Sequence, residues 1–131
     1  MKILVVGGGP AGLYFGILMK RLDPGHKVVV LERNRPDDTF GFGVVFSDKT
    51  IGEVEAADPQ TYQAITDHFI HWDDIDVHYG GEIVRSTGHG FSGLSRQTLL
   101  SVLQEQALAL GIDIRFESEF SGLGPQQSVE C

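Results

Sequence analysis

Three glycines, Gly7, Gly9 and Gly12, stand between an apolar run and a helix-patterned segment and fill G-x-G-x-x-G. Lys2-Ile3-Leu4-Val5-Val6 is β-branched and almost continuously apolar, the pattern of a buried strand covered on both faces of a parallel sheet. Past the glycines, Ala11, Phe15, Leu18 and Leu22 recur at i, i+4, i+7 and i+11, one face of a helix that Pro24-Gly25 closes. Val28-Val29-Val30-Leu31 is a second buried strand, and Glu32 stands at its carboxyl end.

Each residue type has a task if a dinucleotide binds there. Gly7 permits a tight turn, Gly9 lets backbone approach a pyrophosphate, and Gly12 lets the helix pack closely on the strands. The pyrophosphate would rest on the free N–H groups at the positive end of the helix. Glu32 follows Gly12 by twenty residues, where a carboxylate can accept both hydroxyls of an adenosine ribose. A 2′-phosphate would be repelled, so the pattern favours FAD or NAD over NADP.

Composition narrows the function classes. A formal charge of −8 and the lack of a basic stripe argue against nucleic acid, with Arg85 and Arg96 read as isolated and Lys20-Arg21 as a helix end. A single cysteine, Cys131, leaves no disulfide framework within the chain and fits a reducing compartment. No apolar run reaches membrane-spanning length, so no membrane partner is expected and the default location is the cytoplasm.

Beyond Glu32 the chain turns polar and proline-broken through Asp38. Thr39 to Phe46 mixes aromatics with Gly41 and Gly43, readable either as a strand with glycine bulges or as backbone lying against a flat cofactor ring. Ser47-Asp48 would cap a short helix with Ile51 and Val54 inward, ended by Asp58-Pro59. Tyr62, Ile65 and Phe69 mark a second amphipathic helix from Pro59 to Phe69. Trp72 to Tyr79 alternates as a strand and turns at Gly80-Gly81 into Glu82 to Ser86, a small antiparallel sheet set beside the main one. Asp74, Asp76 and His78 would share one strand face, but such charged faces are usually solvated, and no metal site is assigned. Ser95 reads as the N-cap of a helix with Leu99, Leu103, Ala107 and Leu110 inward and Gly111 at its end. Ile112, Ile114 and Phe116 then alternate into a third parallel strand.

The expected fold is α/β: a Rossmann-like domain for FAD or NAD, with a three-strand parallel core and an inserted antiparallel hairpin; a family resemblance makes it an FAD-binding domain. Residues 35–94 would form a long insertion, and the fold would be incomplete at its C-terminus.

Gly7-Gly8-Gly9-Pro10-Ala11-Gly12, Gly16, Glu32-Arg33 and the R-x-x-L-x-x-x-L of Arg96, Leu99 and Leu103 together resemble the FAD-dependent aromatic hydroxylases, the single-component flavoprotein monooxygenases. Glu32 to Pro36, Phe40 to Asp48 and Gly88-His89-Gly90-Phe91 look most like the salicylyl-CoA 5-hydroxylases and aminobenzoyl-CoA monooxygenases within that family.

The resemblance implies FAD as cofactor, NAD(P)H as electron donor, and oxygen with an aromatic substrate, here an aromatic acyl-CoA thioester. It implies that Gly7, Gly9, Pro10, Ala11 and Gly12 hold the pyrophosphate, Glu32 the ribose and Arg33 the adenine side. It further implies that Gly43 and Val44 lie near the isoalloxazine and that Arg96 serves the phosphate or ribityl region. No residue is singled out as catalytic. The family's Asp-Gly and Gly-Asp motifs and its substrate domain would all come later in the chain. The alternative is a non-catalytic module that binds FAD or NAD, or a truncated fragment without activity of its own.

Overall fold

The computed structural model describes residues 1–122, so Cys131 lies outside the described residues. In chain order the elements are β1 (Lys2–Val6), α1 (Pro10–Leu22), β2 (Lys27–Leu31), β3 (Gly43–Ser47), α2 (Asp48–Ala57), α3 (Pro59–Thr66), β4 (Ile70–Trp72), β5 (Ile75–Tyr79), β6 (Glu82–Ser86), β7 (Phe91–Ser95), α4 (Arg96–Ala109) and β8 (Asp113–Arg115). They fall into two compact units: Met1–Phe40 with the chain from Leu99 onward, and Gly41–Thr98.

The first unit is a parallel sheet in the order β1-β2-β8 with helices packed on it. Ile3 pairs with Val28 and Val30 with Ile114, so β2 lies in the middle. Val28, Val29 and Val30 are accordingly buried. β1 departs from the expected two-sided burial, because it has a neighbour on one side only among the described residues. Its three central residues are half-buried and Val6 is 59% exposed.

Helix α1 also differs from expectation. Leu13, Gly16 and Ile17 face the core, while Ala11, Phe15 and Leu22 are exposed. So many α1 residues are apolar that two stripes compete, and Gly16 decides between them. A methyl there would lie 3.4 Å from both Val28 and Ile112, which makes this the face that approaches the sheet. α1 stops at Leu22 through Asp23, whose side chain accepts from Gly25 N–H and whose carbonyl accepts from His26 N–H. α4 buries Leu99, Leu103 and Ala107 as expected, and Leu100 and Val102 besides. It ends in a Schellman turn: Gly111 at φ +75 donates to the Leu108 carbonyl and Ile112 to that of Ala107.

The second unit pairs β3 and β4 antiparallel with opposite sides of β7, and β5 with β6 as a separate hairpin turning at Gly80-Gly81. The expected Trp72–Tyr79 strand is thus split between two sheets. Ser47 caps α2 as expected, its Oγ accepting from Thr50 N–H. α3 ends at Thr66, three residues short of expectation, and buries Thr61 beside Ile65. Thr61 is buried through a polar pair hidden from the apolar pattern: buried Asp58 accepts from the Thr61 hydroxyl at 2.5 Å and from its N–H at 3.2 Å.

Arg85 is not isolated either. It sits opposite Asp76 on the hairpin, forks onto that carboxylate at 2.7 and 2.8 Å, and reaches Asp74 at 3.8 Å. The Arg85 bonds hold Asp76 below the ordinary carboxylate range, and Asp76 raises Arg85 in turn. Val77 and Val84, paired across the strands, are both exposed.

The orientation of α1 gives a direct test. Leu13→Ala should destabilise the fold by about 2–5 kcal/mol, and Phe15→Ala by about 1 kcal/mol or less. Denaturant titrations that reverse this order would restore the Phe15 face.

Candidate functional site

The functional candidates of the first unit gather at the carboxyl ends of its parallel strands. β1 runs directly into Gly7, which adopts φ +106 and donates its N–H to the Leu31 carbonyl at 2.8 Å. Gly9 then stands at the N-cap of α1 with Pro10 in the first turn, where its missing N–H costs nothing. Gly9 offers no side chain to cap the helix, and no acid lies in the first turn. Helix geometry therefore leaves the Ala11 and Gly12 N–H groups without intrahelical partners, an electropositive end open to an anion.

Side chains are excluded at two of these positions. A methyl on Gly12 would overlap the Gly7 carbonyl oxygen, and one on Gly8 would come within 2.8 Å of Glu32 Cβ. Gly8 is therefore constrained as well as Gly12, which the motif alone does not reveal. A methyl on Gly9 would meet nothing within 4 Å, so the space above the helix end is open.

Glu32 ties this turn to β2. Its Oε2 accepts from Gly8 N–H at 2.7 Å, and its Oε1 from the Asn34 N–H at 2.9 Å and the Asn34 side-chain amide at 2.7 Å. Partial burial alone would raise the Glu32 carboxyl. The bonds from Asn34 and Gly8 and the charge of Arg33 outweigh it, so the group lies below its ordinary range and stays ionised at neutral pH.

Beside it lies a cleft of about 370 Å³ lined by Val6, Gly7, Glu32, Arg33 and Asn34, and by Ser118, Glu119 and Phe120. Parallel pairing of β8 with β2 brings that last segment in: Ser118 N–H donates to the Glu32 carbonyl at 2.9 Å and Glu117 N–H to that of Asn34 at 3.1 Å. No sequence motif marks 118–120, whereas Asn34 directly follows the Glu-Arg pair.

A nucleotide fits these groups on three counts: an uncapped helix end, an open space over Gly9, and an ionised acceptor on a cleft wall. The residues Gly7, Gly9, Pro10, Ala11, Gly12, Glu32 and Arg33 are brought together in this unit.

Gly43, Val44 and Arg96 belong to the second unit. Antiparallel pairing sets Gly43 opposite Ser95 and Val44 opposite Leu94. Arg96, the first residue of α4, donates its N–H to the Phe42 carbonyl at 3.1 Å, and a methyl on Gly41 would lie 3.9 Å from its Cδ. Residues some fifty positions apart in the chain thus meet at the Gly41–Gly43 segment. Ser95 caps α4, its Oγ accepting from Thr98 N–H at 3.0 Å. A cation at this helix end, with no acid in the first turn, again suits an anionic ligand.

The charged strand holds no comparable site. Asp74 and Asp76 turn to Arg85, His71 contacts Ser92 at 2.9 Å and Asp73 at 3.3 Å, and no group of three or more metal-ligating side chains occurs among the described residues. Nor is any described helix long and apolar enough to cross a membrane.

The chain matches the family model described as FAD binding domain over residues 1–129. It is 54% identical over 119 residues to the salicyloyl-CoA 5-hydroxylase of a Streptomyces species, covering 91% of this chain and 23% of that protein. It is 33% identical to the 3-hydroxy-4-methyl-anthranilyl-[aryl-carrier protein] 5-monooxygenase of Streptosporangium sibiricum, covering 89% and 33%. Among solved structures, the tetrameric form of 2-methyl-3-hydroxypyridine-5-carboxylic acid oxygenase superposes with a TM-score of 0.77 at 24% identity, covering 90% of this chain and 32% of that one, a likeness of fold. The chain thus spans from 23% to 33% of the length of these curated relatives.

Lowered in the folded state, the Glu32 pKa makes stability depend on pH. Its contribution is complete above the ordinary value of 4.5 and is lost as pH falls through the lowered one. The melting temperature of the chain should exceed that of Glu32→Gln at neutral pH, and the gap should close as pH falls below 4.5. A gap that stays constant with pH would contradict an ionised, hydrogen-bonded Glu32.

Proposed function

The chain belongs to the FAD binding domain family, and from that premise we propose that it is the FAD-holding portion of an NAD(P)H-dependent flavoprotein monooxygenase acting on an aromatic substrate. The observation that carries the reading is the join at Glu32, where one carboxylate braces the glycine turn and faces the cleft beside it. Likeness to the Streptomyces enzyme points to an aromatic acyl-CoA thioester as the substrate of the whole protein.

In this reading the uncapped end of α1, with Gly7, Gly9, Pro10, Ala11 and Gly12, receives the pyrophosphate. Glu32 accepts from the adenosine ribose, Arg33 flanks the adenine, and a 2′-phosphate is repelled. Gly43 and Val44 give a flat ring a backbone to rest on without side chains in the way at Gly43, and Arg96 serves the phosphate or ribityl region. Bound FAD supplies redox chemistry and the activation of oxygen, with NAD(P)H as donor, while the chain's own groups bind and orient it. None of these residues is given an acid–base or nucleophilic role.

We read the chain by itself as a dinucleotide-binding module, since it covers no more than a third of the length of these relatives.

Two substitutions test the binding site, and the second separates binding from folding. Glu32→Ala should weaken FAD binding by about 1.5–3 kcal/mol, the worth of a hydrogen bond to a charged group. Gly9→Ala, whose new methyl meets no protein atom within 4 Å, should leave the ligand-free melting temperature unchanged yet weaken FAD binding. Flavin fluorescence titrations in which both variants bind like the wild type would sink the proposed site.

A further inference from the structure

Glu32 is held before any ligand arrives, and the way it is held limits what it can accept. A carboxylate offers about four lone-pair sites. Both sites on Oε1 are taken by the backbone and side-chain N–H groups of Asn34, and one on Oε2 by Gly8 N–H. One acceptor site remains, on Oε2. A ribose diol bound through both carboxylate oxygens would need the Asn34 amide to leave.

Asn34 is itself anchored. Its carbonyl accepts from Glu117 N–H at 3.1 Å while the Glu32 carbonyl accepts from Ser118 N–H at 2.9 Å, so the chain after β8 is pinned across both residues. Glu117 makes this possible by adopting φ 51, a left-handed conformation uncommon for a residue with a side chain. The reversal brings Ser118, Glu119 and Phe120 onto the cleft wall. A carboxylate only accepts, so the NH2 end of the Asn34 amide must face Glu32.

We propose that Asn34 is the positioning residue of this site: by filling Oε1 it presents Oε2 alone, so that Glu32 takes a single ribose hydroxyl. This rests on the reading of the cleft as the adenosine end of an FAD site. Losing the Asn34 amide would cost Glu32 a donor to its ionised form and free the carboxylate to turn.

The charged groups around Glu32 are few. Arg33 adjoins it, Glu119 also lines the cleft, Arg35 is 3.8 Å from Glu117, and Arg115 on β8 is held by Asp113 at 2.7 Å. All of these stay in place in an Asn34 variant, so a changed pH profile would report on Asn34.

The test is the affinity of the intact chain for FAD, followed by flavin fluorescence between about pH 4 and pH 8, for the wild type, Asn34→Ala and Asn34→Asp. Asn34→Ala should bind about three- to tenfold more weakly at neutral pH, less than the loss of a direct charge-assisted hydrogen bond because Asn34 acts through Glu32. It should also lose binding at a higher pH than the wild type does. Asn34→Asp, close in shape but setting a second carboxylate against the first, should shift the acid limb further. A wild-type affinity and acid limb in both variants would overturn the proposal. So would a loss of the same factor at every pH, which is what a merely structural role produces. If the wild type itself failed to bind FAD, the reading of the cleft would fall first and this role with it.

Discussion

One carboxylate holds the ends of the two strands that build the site. The β1 turn contributes Gly8 N–H, β2 contributes Glu32, and the 2.7 Å bond between them fixes where the helix N-terminus stands relative to the cleft. Everything around that bond is cleared for it. Gly8 has no side chain because one would strike Glu32 Cβ, and Gly12 has none because one would overlap the Gly7 carbonyl. Behind it, Leu13 and Ile17 lock α1 onto the sheet, so the orphan amides of the first turn are presented by a rigid element.

The same bond has an electrostatic consequence. A carboxylate with three N–H donors is held below its ordinary range and stays ionised at neutral pH, and that charge faces a cleft next to an electropositive helix end. A ligand with hydroxyls at one point and a diphosphate at another suits this separation of negative and positive. A ligand with phosphate at both does not. The discrimination follows from the placement of two charges rather than from the shape of a pocket.

Much of this was legible in the sequence because it depends on local rules. The strand, glycine turn, helix, strand and acid each follow from short-range patterns, as do the Ser47 and Ser95 caps and the Gly80-Gly81 hairpin. What was not legible depended on partners distant in the chain. The buried face of α1 was misplaced because Phe15 and Leu22 are as apolar as Leu13 and Ile17, and only the close approach at Gly16 tells the faces apart. The Asp58–Thr61 pair, buried though polar, breaks the rule by which α3 was read. Arg85 looked isolated until hairpin register set it opposite Asp76. Ser118 to Phe120 reach the cleft because β8 joins β2 in parallel.

The central claim is that the glycine turn, Glu32 and the segment after β8 form one nucleotide cradle. Amide shifts recorded by NMR as ADP is added to the isotope-labelled chain test it most directly, since ADP carries the adenosine and diphosphate of the proposed ligand. Saturable movement of the Gly8, Ala11, Gly12, Asn34 and Ser118 amides, with the rest of the sheet unmoved, is the predicted result. A folded chain in which those amides stay still, or in which only residues elsewhere respond, would contradict the account.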